Sequence, residues 1–269
     1  MSRVYMKFCQ INIDNLSLKE SRNKVLDFLN FTSSHKVFTP NPEFIVAAQK
    51  DEKFKEVLNK GDLNICDGFG LGLFSGCPRI PGVDFMIEIC KIAAEKNIGV
   101  YLLGSDSDEI VKKTAENLQK QIQNLKISGY DKGLMMEIIS NPPSSQRDYG
   151  QAGIQYPISN YNKEENSSII KKINDSGAKI LFVAFGMNKQ ERWIDENLAQ
   201  MPNIKIAMGV GGSFDYISGI VRRAPCFLRK IGLEWLYRLF KQPKRLGRIS
   251  NAIIVFTYIV LKNKIFKKI

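Results

Sequence analysis

Polar residues follow several short apolar segments of this chain, and one of them, Asp67, has the chemistry of an acid–base catalyst. It comes directly after the segment LNIC and is followed by Gly68 and Gly70, which leave space for a ligand beside the carboxylate. A carboxylate in such a place can act as a general base or orient a bound ligand. Because aspartate is also a preferred helix N-cap, the sequence leaves a purely structural role open as well.

Two glycine-rich segments could bind phosphate through backbone N–H groups. They are residues 68–72, GFGLG, and residues 209–212, GVGG. Neither completes the G-x-G-x-x-G pattern of dinucleotide-binding proteins, because Leu73 and Phe214 stand at the sixth position. The chain also has no G-x-x-x-x-G-K-[ST] motif, which argues against a P-loop nucleotidase.

Further polar side chains suit the binding of phosphate and sugar groups. Arg79 precedes a predicted helix and could hold a phosphate through two parallel hydrogen bonds, or form a surface ion pair. Gln190 could hydrogen-bond a sugar hydroxyl, whereas Glu191 would complement the dipole of the helix that begins there. Asp106 and Asp108 form a D-x-D pair that could bind a divalent cation, but acids in the first turn of a helix favour capping.

These residues must be positioned by an alternation of strands and helices that runs through most of the chain. The predicted strands are residues 35–39, 63–66, 98–104, 126–130, 179–186 and 204–212. The predicted helices between them are residues 43–61, 83–96, 105–125, 167–176 and 189–201. Repeated alternation of this kind predicts a Rossmann-like α/β fold, with a mostly parallel sheet and helices on both faces.

The carboxyl edge of the predicted sheet is where a ligand is expected, because open parallel sheets bind ligands beyond the ends of their strands. The residues directly after the strands are therefore the first candidates: Thr39–Asn41, Asp67–Gly72, Gly104–Ser105, Gly186–Glu191 and Gly209–Asp215. Residues 131–166, rich in Pro, Ser, Asn and Tyr, interrupt the alternation and predict a long loop or insertion.

The charge is distributed unevenly along the chain. Residues 1–221 contain 26 basic and 26 acidic side chains, whereas residues 222–269 contain 13 basic side chains and one acid, Glu234. The division predicts a neutral catalytic α/β domain, residues 1–221, and a basic C-terminal appendage, residues 222–269. Such an appendage indicates an anionic partner, either membrane headgroups or nucleic acid.

The appendage combines this charge with apolar, amphipathic helical sequence. Residues 227–241 have helical periodicity with one wide apolar face, and residues 252–261, AIIVFTYIVL, are flanked by basic residues. A helix of ten residues is about 15 Å long, half of a hydrocarbon core of about 30 Å, so it cannot span a membrane. The pattern favours an interfacial helix on anionic lipid, with a helix docked in the protein core as the alternative. Nucleic acid is disfavoured, because no recognisable binding module accompanies the charge.

The composition argues against several functional classes. The single histidine, His35, argues against multi-histidine metal sites and histidine-dependent catalytic triads. The five cysteines are scattered without zinc-type spacing and are interpreted as ordinary apolar side chains. The first residues contain no apolar run that suits a signal peptide, so a cytoplasmic location is expected.

Several segments, taken in order, resemble one protein family. They are residues 39–44 (TPNPEF), 62–71 (DLNICDGFGL), 79–84 (RIPGVD), 101–105 (YLLGS), 181–194 (LFVAFGMNKQERWI) and 209–248, which begin with GVGGSFDYISG. In order and spacing they resemble the WecG/TagA/CpsF family, glycosyltransferase family 26. The resemblance covers nearly the whole chain except residues 131–166, and Asn188 stands where the family usually has proline.

The resemblance implies an inverting, metal-independent hexosyltransferase of bacterial cell-surface polysaccharide assembly. Such enzymes transfer a sugar from a UDP-sugar to a glycan on undecaprenyl diphosphate, for teichoic acid, capsule or exopolysaccharide. N-acetylmannosamine is one of several donor sugars that fit. The resemblance also implies a peripheral enzyme on the inner face of the plasma membrane, whose appendage associates with lipid and contributes arginines to the active site.

The resemblance also implies roles for residues of the predicted carboxyl edge and of the appendage. Asp67 would take the proton from the acceptor hydroxyl as that hydroxyl attacks the anomeric carbon. Three polar side chains would position the sugars: Thr39, Asn41 and Gln190. Four arginines would stabilise the departing diphosphate: Arg79, Arg222, Arg223 and Arg229. Three glycines, Gly209, Gly211 and Gly212, would donate backbone N–H groups to the nucleotide. Asp215 would contact its ribose.

Two other functions compete with this interpretation. A nucleotide-cofactor oxidoreductase would use a similar sheet, but it lacks a proper fingerprint and predicts retention of NAD rather than UDP. A non-enzymatic basic membrane adaptor predicts that Asp67→Asn leaves function intact. The sequence leaves open the donor sugar, the acceptor glycan, and whether the chain forms a homo-oligomer.

Overall fold

A short antiparallel hairpin and a helix precede the main sheet. The computed structural model describes residues 5–105, 107–138, 159–230, 232–241, 247 and 251–265. The hairpin consists of β1 (Tyr5–Phe8) and β2 (Ile11–Asp14), and α1 (Leu18–Asn30) follows it. A capping box begins α1, because Ser17 and Glu20 each accept a hydrogen bond from the other's backbone N–H.

The centre of the fold is a parallel sheet of six strands. They are β3 (His35–Phe38), β4 (Leu63–Asn64), β5 (Gly99–Leu103), β6 (Lys126–Asp131), β9 (Ile180–Val183) and β10 (Ile206–Gly209). A separate antiparallel pair is formed by β7 (Glu137–Ile138) and β8 (Ser159–Asn160). The strand order in the main sheet is β4-β3-β10-β9-β5-β6, and all its pairs are parallel. Both β9 and β10 are buried at every position, as apolar strands covered on both faces should be.

Helices cover both faces of this sheet, each over its own cluster of buried apolar side chains. One face carries α2 (Pro42–Lys50), α3 (Glu52–Asn59), α4 (Phe69–Ser75), α7 (Lys163–Asp175) and α8 (Lys189–Asn197). The other face carries α1, α5 (Gly82–Glu95), α6 (Asp108–Gln121) and α9 (Ser213–Ile217). The predicted Rossmann-like α/β fold is therefore confirmed.

The predicted helix of residues 43–61 was wrong as a single element, because it divides at Asp51. The backbone of Asp51 is extended, with φ −133° and ψ 93°, and its carboxylate caps α3 by accepting the N–H of Phe54 at 3.0 Å. The same carboxylate lies 2.6 Å from Nη2 of Arg192, a fully buried guanidinium that needs a negative partner. The break in the helix therefore supplies both a cap and a counter-ion.

Two further boundaries differ from the sequence-based expectation. The glycine-rich segment 67–72 is mostly helical, since α4 begins at Phe69 directly after Gly68, whose φ is +87°. The ends of the predicted loop 131–166 are ordered as well: β7 pairs with β8, and α7 begins at Lys163. Residues 139–158, the middle of that loop, lie outside the described residues.

The described part of the appendage forms short helices that pack on the rest of the protein. They are α10 (Cys226–Lys230), α11 (Glu234–Lys241) and, after a π-helical turn (Asn251–Val255), α12 (Phe256–Ile265). The predicted continuous helix over 227–241 was wrong, because Gly232 has φ +79° between α10 and α11. A Cβ at Gly232 would also lie within van der Waals overlap of the Phe69 side chain, so only glycine allows this close approach.

The two sides of α12 differ in environment. Phe256 and Val260 are buried in the core, where the Phe256 ring packs against Phe8 and Phe74 with ring centroids 6.2 and 5.9 Å apart. Tyr258 and Leu261 are exposed, at 63% and 51%. The helix thus docks in the core by one side while it presents apolar groups to solvent by the other. The division into domains 1–221 and 222–269 stays a prediction.

Within the described parts of the chain, no helix combines the length and the apolar character needed to cross a bilayer.

Candidate active site

A cavity of about 860 Å³ lies at the carboxyl edge of the main sheet and is closed on one side by the appendage. It brings together nine of the twelve residues predicted for the site: Thr39, Asn41, Asp67, Arg79, Gln190, Gly211, Gly212, Asp215 and Arg223. Three predicted residues do not line it: Gly209, Arg222 and Arg229. The cavity therefore lies at the edge where the topology rule for parallel sheets expects a ligand.

Asp67 lies in this cavity at the end of β4, and its backbone N–H donates to the carbonyl of Pro40 at 2.9 Å. Its carboxylate accepts hydrogen bonds from the backbone N–H groups of Gly68, at 2.6 Å, and Gly82. Burial raises the pKa of Asp67 to about 6, although the charge of Arg79 and these two N–H donors act in the opposite direction. The N-cap position of α4 belongs to Gly68, so the carboxyl group is not required as a side-chain cap. A carboxyl group that titrates near neutrality is suited to general-base catalysis.

Thr39 and Asn41 follow the end of β3 and line the same cavity as Asp67, but their side chains have different roles. Thr39 is 8% exposed, and its Oγ1 and Oδ2 of Asp67 would lie 3.3 and 3.4 Å from a Cβ built at Gly82. The hydroxyl and the carboxylate therefore both lie beside Gly82 at the N-terminus of α5. The Oδ1 atom of Asn41 accepts the N–H of Phe44 at 3.2 Å and so caps α2. This oxygen is therefore already used by a hydrogen bond within the protein.

Arg79 is held at the cavity wall by two contacts with the appendage. Its Nη1 donates to the carbonyl of Arg229 at 2.8 Å, and its Nη2 lies 3.5 Å from Oε2 of Glu234. Its buried Nε has no hydrogen-bond partner among the described residues.

Arg223 approaches the same wall from the appendage. Its Nη1 donates to Oδ1 of Asp84 at 2.5 Å, and its Nε lies 3.4 Å from Oε1 of Glu234. Burial alone would lower the pKa of Arg223, but the hydrogen bond and charge of Asp84, together with Glu234, raise it overall. Its buried Nη2 finds no partner in the described part of the chain. The wall therefore offers unused guanidinium donors, which is what an anionic ligand requires.

A buried hydrogen-bonded unit sets the position of Gln190, which also lines the cavity. Its Nε2 donates to Oε1 of Glu191 at 2.6 Å, and its Oε1 accepts the N–H of Gly211 at 2.9 Å. The other oxygen of Glu191 accepts the N–H of Asn188 at 2.7 Å. Glu191 is fully buried, and this burial raises its pKa to about 7. Asn188 has φ +74°, a conformation and a donor that a proline at this position could not provide.

Gly209 lies behind this unit rather than in the cavity. A Cβ at Gly209 would come within 2.7 Å of Nε2 of Gln190 and 2.8 Å of Oε1 of Glu191. Because the N–H of Gly211 is engaged by Gln190, that donor is occupied within the protein, and phosphate binding by residues 209–212 stays a prediction.

The two remaining predicted arginines lie outside the cavity lining. Arg222 is exposed, and Nε of Arg229 donates to the carbonyl of Ala224 at 3.0 Å, so Arg229 supports the appendage and gives Arg79 an acceptor. Both were predicted to reach the diphosphate, and neither lines the cavity.

Two acids that the sequence did not place in the site take part in its contacts, Asp84 and Glu234. A third, Glu191, was among the candidates at the carboxyl edge but was expected only to complement the helix dipole, whereas it hydrogen-bonds Gln190. For Glu234 a signal was available, since it is the single acid of a strongly basic segment.

The structure offers no support for a metal site at the D-x-D pair among the described residues. Asp106 lies outside the described residues, and Asp108 pairs with Lys132 at 3.3 Å. Across the described residues, no three His, Cys, Asp or Glu side chains come together as metal ligands would. His35 stacks on Phe28 with ring centroids 4.0 Å apart.

The fold is that of an α/β protein, and its cavity combines a buried carboxyl group whose pKa is raised to about 6 with two arginine side chains, an arrangement typical of an enzyme active site. Residues 6–269 match the glycosyl transferase WecG/TagA/CpsF family. The chain therefore belongs to this family, and it is a glycosyltransferase of the hexosyltransferase type.

Curated relatives cover nearly all of the chain. An N-acetylglucosaminyldiphosphoundecaprenol N-acetyl-beta-D-mannosaminyltransferase of Staphylococcus aureus strain MW2 is 28% identical over 262 residues, which are 94% of this chain and 91% of the relative. Enzymes of the same name from the strains NCTC 8325 / PS 47 and MRSA252 show the same identity over the same shares of both chains.

Proposed function

We propose that this chain transfers an N-acetylmannosamine-type sugar from a UDP-sugar to N-acetylglucosamine on undecaprenyl diphosphate, in the synthesis of a bacterial cell-surface polymer. The observation that carries the proposal is the carboxyl group of Asp67, which lies in the cavity beside Arg79 and has a pKa raised to about 6. The names of the relatives support the acceptor and the sugar that is transferred.

The residues suit a single displacement at the anomeric carbon of the donor. The acceptor hydroxyl oxygen forms the new bond to that carbon while the bond to the UDP oxygen breaks, and Asp67 takes the hydroxyl proton. Attack from the face opposite the leaving group inverts the anomeric configuration, so one base is sufficient. A carboxylate with a pKa of about 6 is largely ionised at pH 7 and still accepts a proton more readily than an ordinary aspartate does.

The leaving diphosphate needs positive charge, and the arginine wall can provide it. Nε of Arg79 and Nη2 of Arg223 are buried donors without a partner among the described residues, so a diphosphate could take both without breaking a hydrogen bond. Gln190 and Asp215 line the same cavity, where Gln190 suits a contact with the donor sugar and Asp215 suits the ribose. With this arrangement we propose catalysis without a metal ion.

The mouth of the cavity suits an acceptor that arrives on a lipid. Three exposed apolar side chains from three different elements border it: Phe69, Trp235 and Ile253. Tyr258 and Leu261 on the exposed side of α12 present further apolar groups to solvent, next to basic sequence. We therefore propose that the protein binds the inner face of the plasma membrane peripherally, through this surface and anionic headgroups.

A panel of UDP-sugars tests the proposal. Each donor is incubated with N-acetylglucosamine on a lipid diphosphate, with and without EDTA, and release of UDP is measured. Acceptor-dependent release from UDP-N-acetylmannosamine, unchanged by EDTA, is the expected result. No release from any UDP-sugar would contradict the donor class, and loss of release with EDTA would contradict the metal-free mechanism. Co-sedimentation with phosphatidylglycerol vesicles, weakened by high salt, is expected for the membrane contact.

A further inference from the structure

Glu234 occupies an unusual position for an acid in this chain. It is the single acidic residue among 13 basic ones in residues 222–269, and it lies at the first position of α11 on the cavity wall. Its two carboxylate oxygens each lie near a different arginine: Oε1 is 3.4 Å from Nε of Arg223, and Oε2 is 3.5 Å from Nη2 of Arg79. All three side chains are about one-fifth exposed, so these contacts are only partly screened by water.

The shared carboxylate joins two parts of the protein at the site. Arg79 precedes α5 in the body of the fold, whereas Arg223 and Glu234 belong to the appendage. Two guanidinium groups that approach one ligand repel each other, and a carboxylate between them offsets that repulsion. Arg79 also donates to the carbonyl of Arg229, and Arg223 also donates to Asp84. Beside these contacts, each arginine keeps a buried nitrogen that has no partner among the described residues: Nε of Arg79 and Nη2 of Arg223.

We propose that Glu234 is a positioning residue of the transferase site. Its carboxylate holds Arg79 and Arg223 side by side, so that their remaining N–H donors are directed at the diphosphate of the nucleotide before it binds. The inference rests on the proposed function and adds to it a residue that touches neither the sugar nor the phosphate. Holding the donors in place beforehand lowers the ordering cost of binding.

The same carboxylate also acts on Asp67. After burial, the largest influence on the pKa of Asp67 is the charge of Arg79, which lowers it, and the charge of Glu234 raises it. Arg223 and Asp84 pair with each other at 2.5 Å on the same wall, and the N–H groups of Gly68 and Gly82 donate to Asp67 directly. Removal of the Glu234 charge should therefore shift the pKa of Asp67 downward. A role confined to folding would not produce this shift.

The test compares Glu234→Gln, Glu234→Asp and a matched control, Glu52→Gln, in the full-length protein. Glu52 is an exposed acid of the ion pair with Lys55 on α3, and it does not line the cavity. For Glu234→Gln, the Kd for UDP and the KM for the UDP-sugar should rise about tenfold, as expected when a charge-assisted contact is lost. The acidic limb of the kcat/KM profile should move to lower pH. Glu234→Asp should recover part of both effects, and Glu52→Gln should match the unmodified protein.

Thermal unfolding of all three variants distinguishes positioning from folding. A Glu234→Gln protein with a normal Tm, a raised KM and a shifted acidic limb supports the proposal. A lower Tm with unchanged KM and pH profile overturns it, and so does a lower KM, which would mean that Glu234 competes with the diphosphate. If the unmodified protein neither binds UDP nor transfers sugar, the proposed function fails first. If it does both and Glu234→Gln behaves like Glu52→Gln, only the role of Glu234 fails.

Discussion

Replacement of Phe256 by alanine tests whether the appendage is part of the folded core. Phe256 is 2% exposed, its ring packs against those of Phe8 and Phe74, and its Cε1 would lie 3.5 Å from a Cβ at Gly70. Burial of a phenylalanine side chain contributes about 1.5–3 kcal/mol, and the cavity left by its removal adds a further cost. We therefore expect Phe256→Ala to lower the free energy of unfolding by about 3 kcal/mol in urea denaturation. Activity should fall too, because Phe256 lines the cavity.

Tyr258 on the opposite side of α12 supplies the matched control. Because it is 63% exposed, Tyr258→Ala should change the free energy of unfolding by no more than about 0.5 kcal/mol. It should instead weaken co-sedimentation with phosphatidylglycerol vesicles, since it removes an aromatic group from the proposed membrane surface. Equal stability losses for Phe256→Ala and Tyr258→Ala would refute the docking of α12. Protease sensitivity of residues 251–265, measured in parallel, reports whether the helix leaves the core.

Two other predictions concern the residues behind the cavity. Gly209→Ala should reduce kcat/KM about tenfold or more, because its Cβ would displace the Gln190 amide; steady-state kinetics with an unchanged value would contradict this. Burial raises the pKa of Glu191 from 4.5 to about 7, so folding favours its protonated form. Its contribution to stability is therefore fully present below about pH 4.5 and is lost as the pH rises through about 7. Glu191→Gln should flatten that decline in urea denaturation, and an unaltered slope would exclude Glu191 as its source.

Much of the fold follows from local sequence. Residues Ile180–Val183 are all apolar, as expected of a strand that is covered on both faces. Such a run predicts a buried strand from the sequence alone. The same reasoning located Thr39, Asp67 and Gln190, since parallel strands bring their carboxyl ends to one edge and the topology rule needs no distances.

The remainder depends on contacts between distant parts of the chain. Asp51 ends a helix because its carboxylate is needed by Arg192, which is 141 positions away in the sequence. Arg79 finds its acceptor 150 positions away, at the carbonyl of Arg229. The apolar residues of α12 surround the helix on all sides, so periodicity could not show that Phe256 faces the core while Tyr258 faces solvent. The raised pKa of Asp67 likewise comes from burial, which the sequence does not encode locally.

The most direct test of the proposed mechanism is the pH dependence of sugar transfer by the unmodified enzyme and by Asp67→Asn. For the unmodified enzyme, kcat/KM should rise with pH through about 6, where Asp67 ionises. Asp67→Asn should bind UDP normally, but its transfer rate should fall by roughly 10²–10⁴-fold, and the limb near pH 6 should disappear. A variant that transfers sugar within a few-fold of the normal rate, with the same limb, would contradict the assignment of Asp67 as the base.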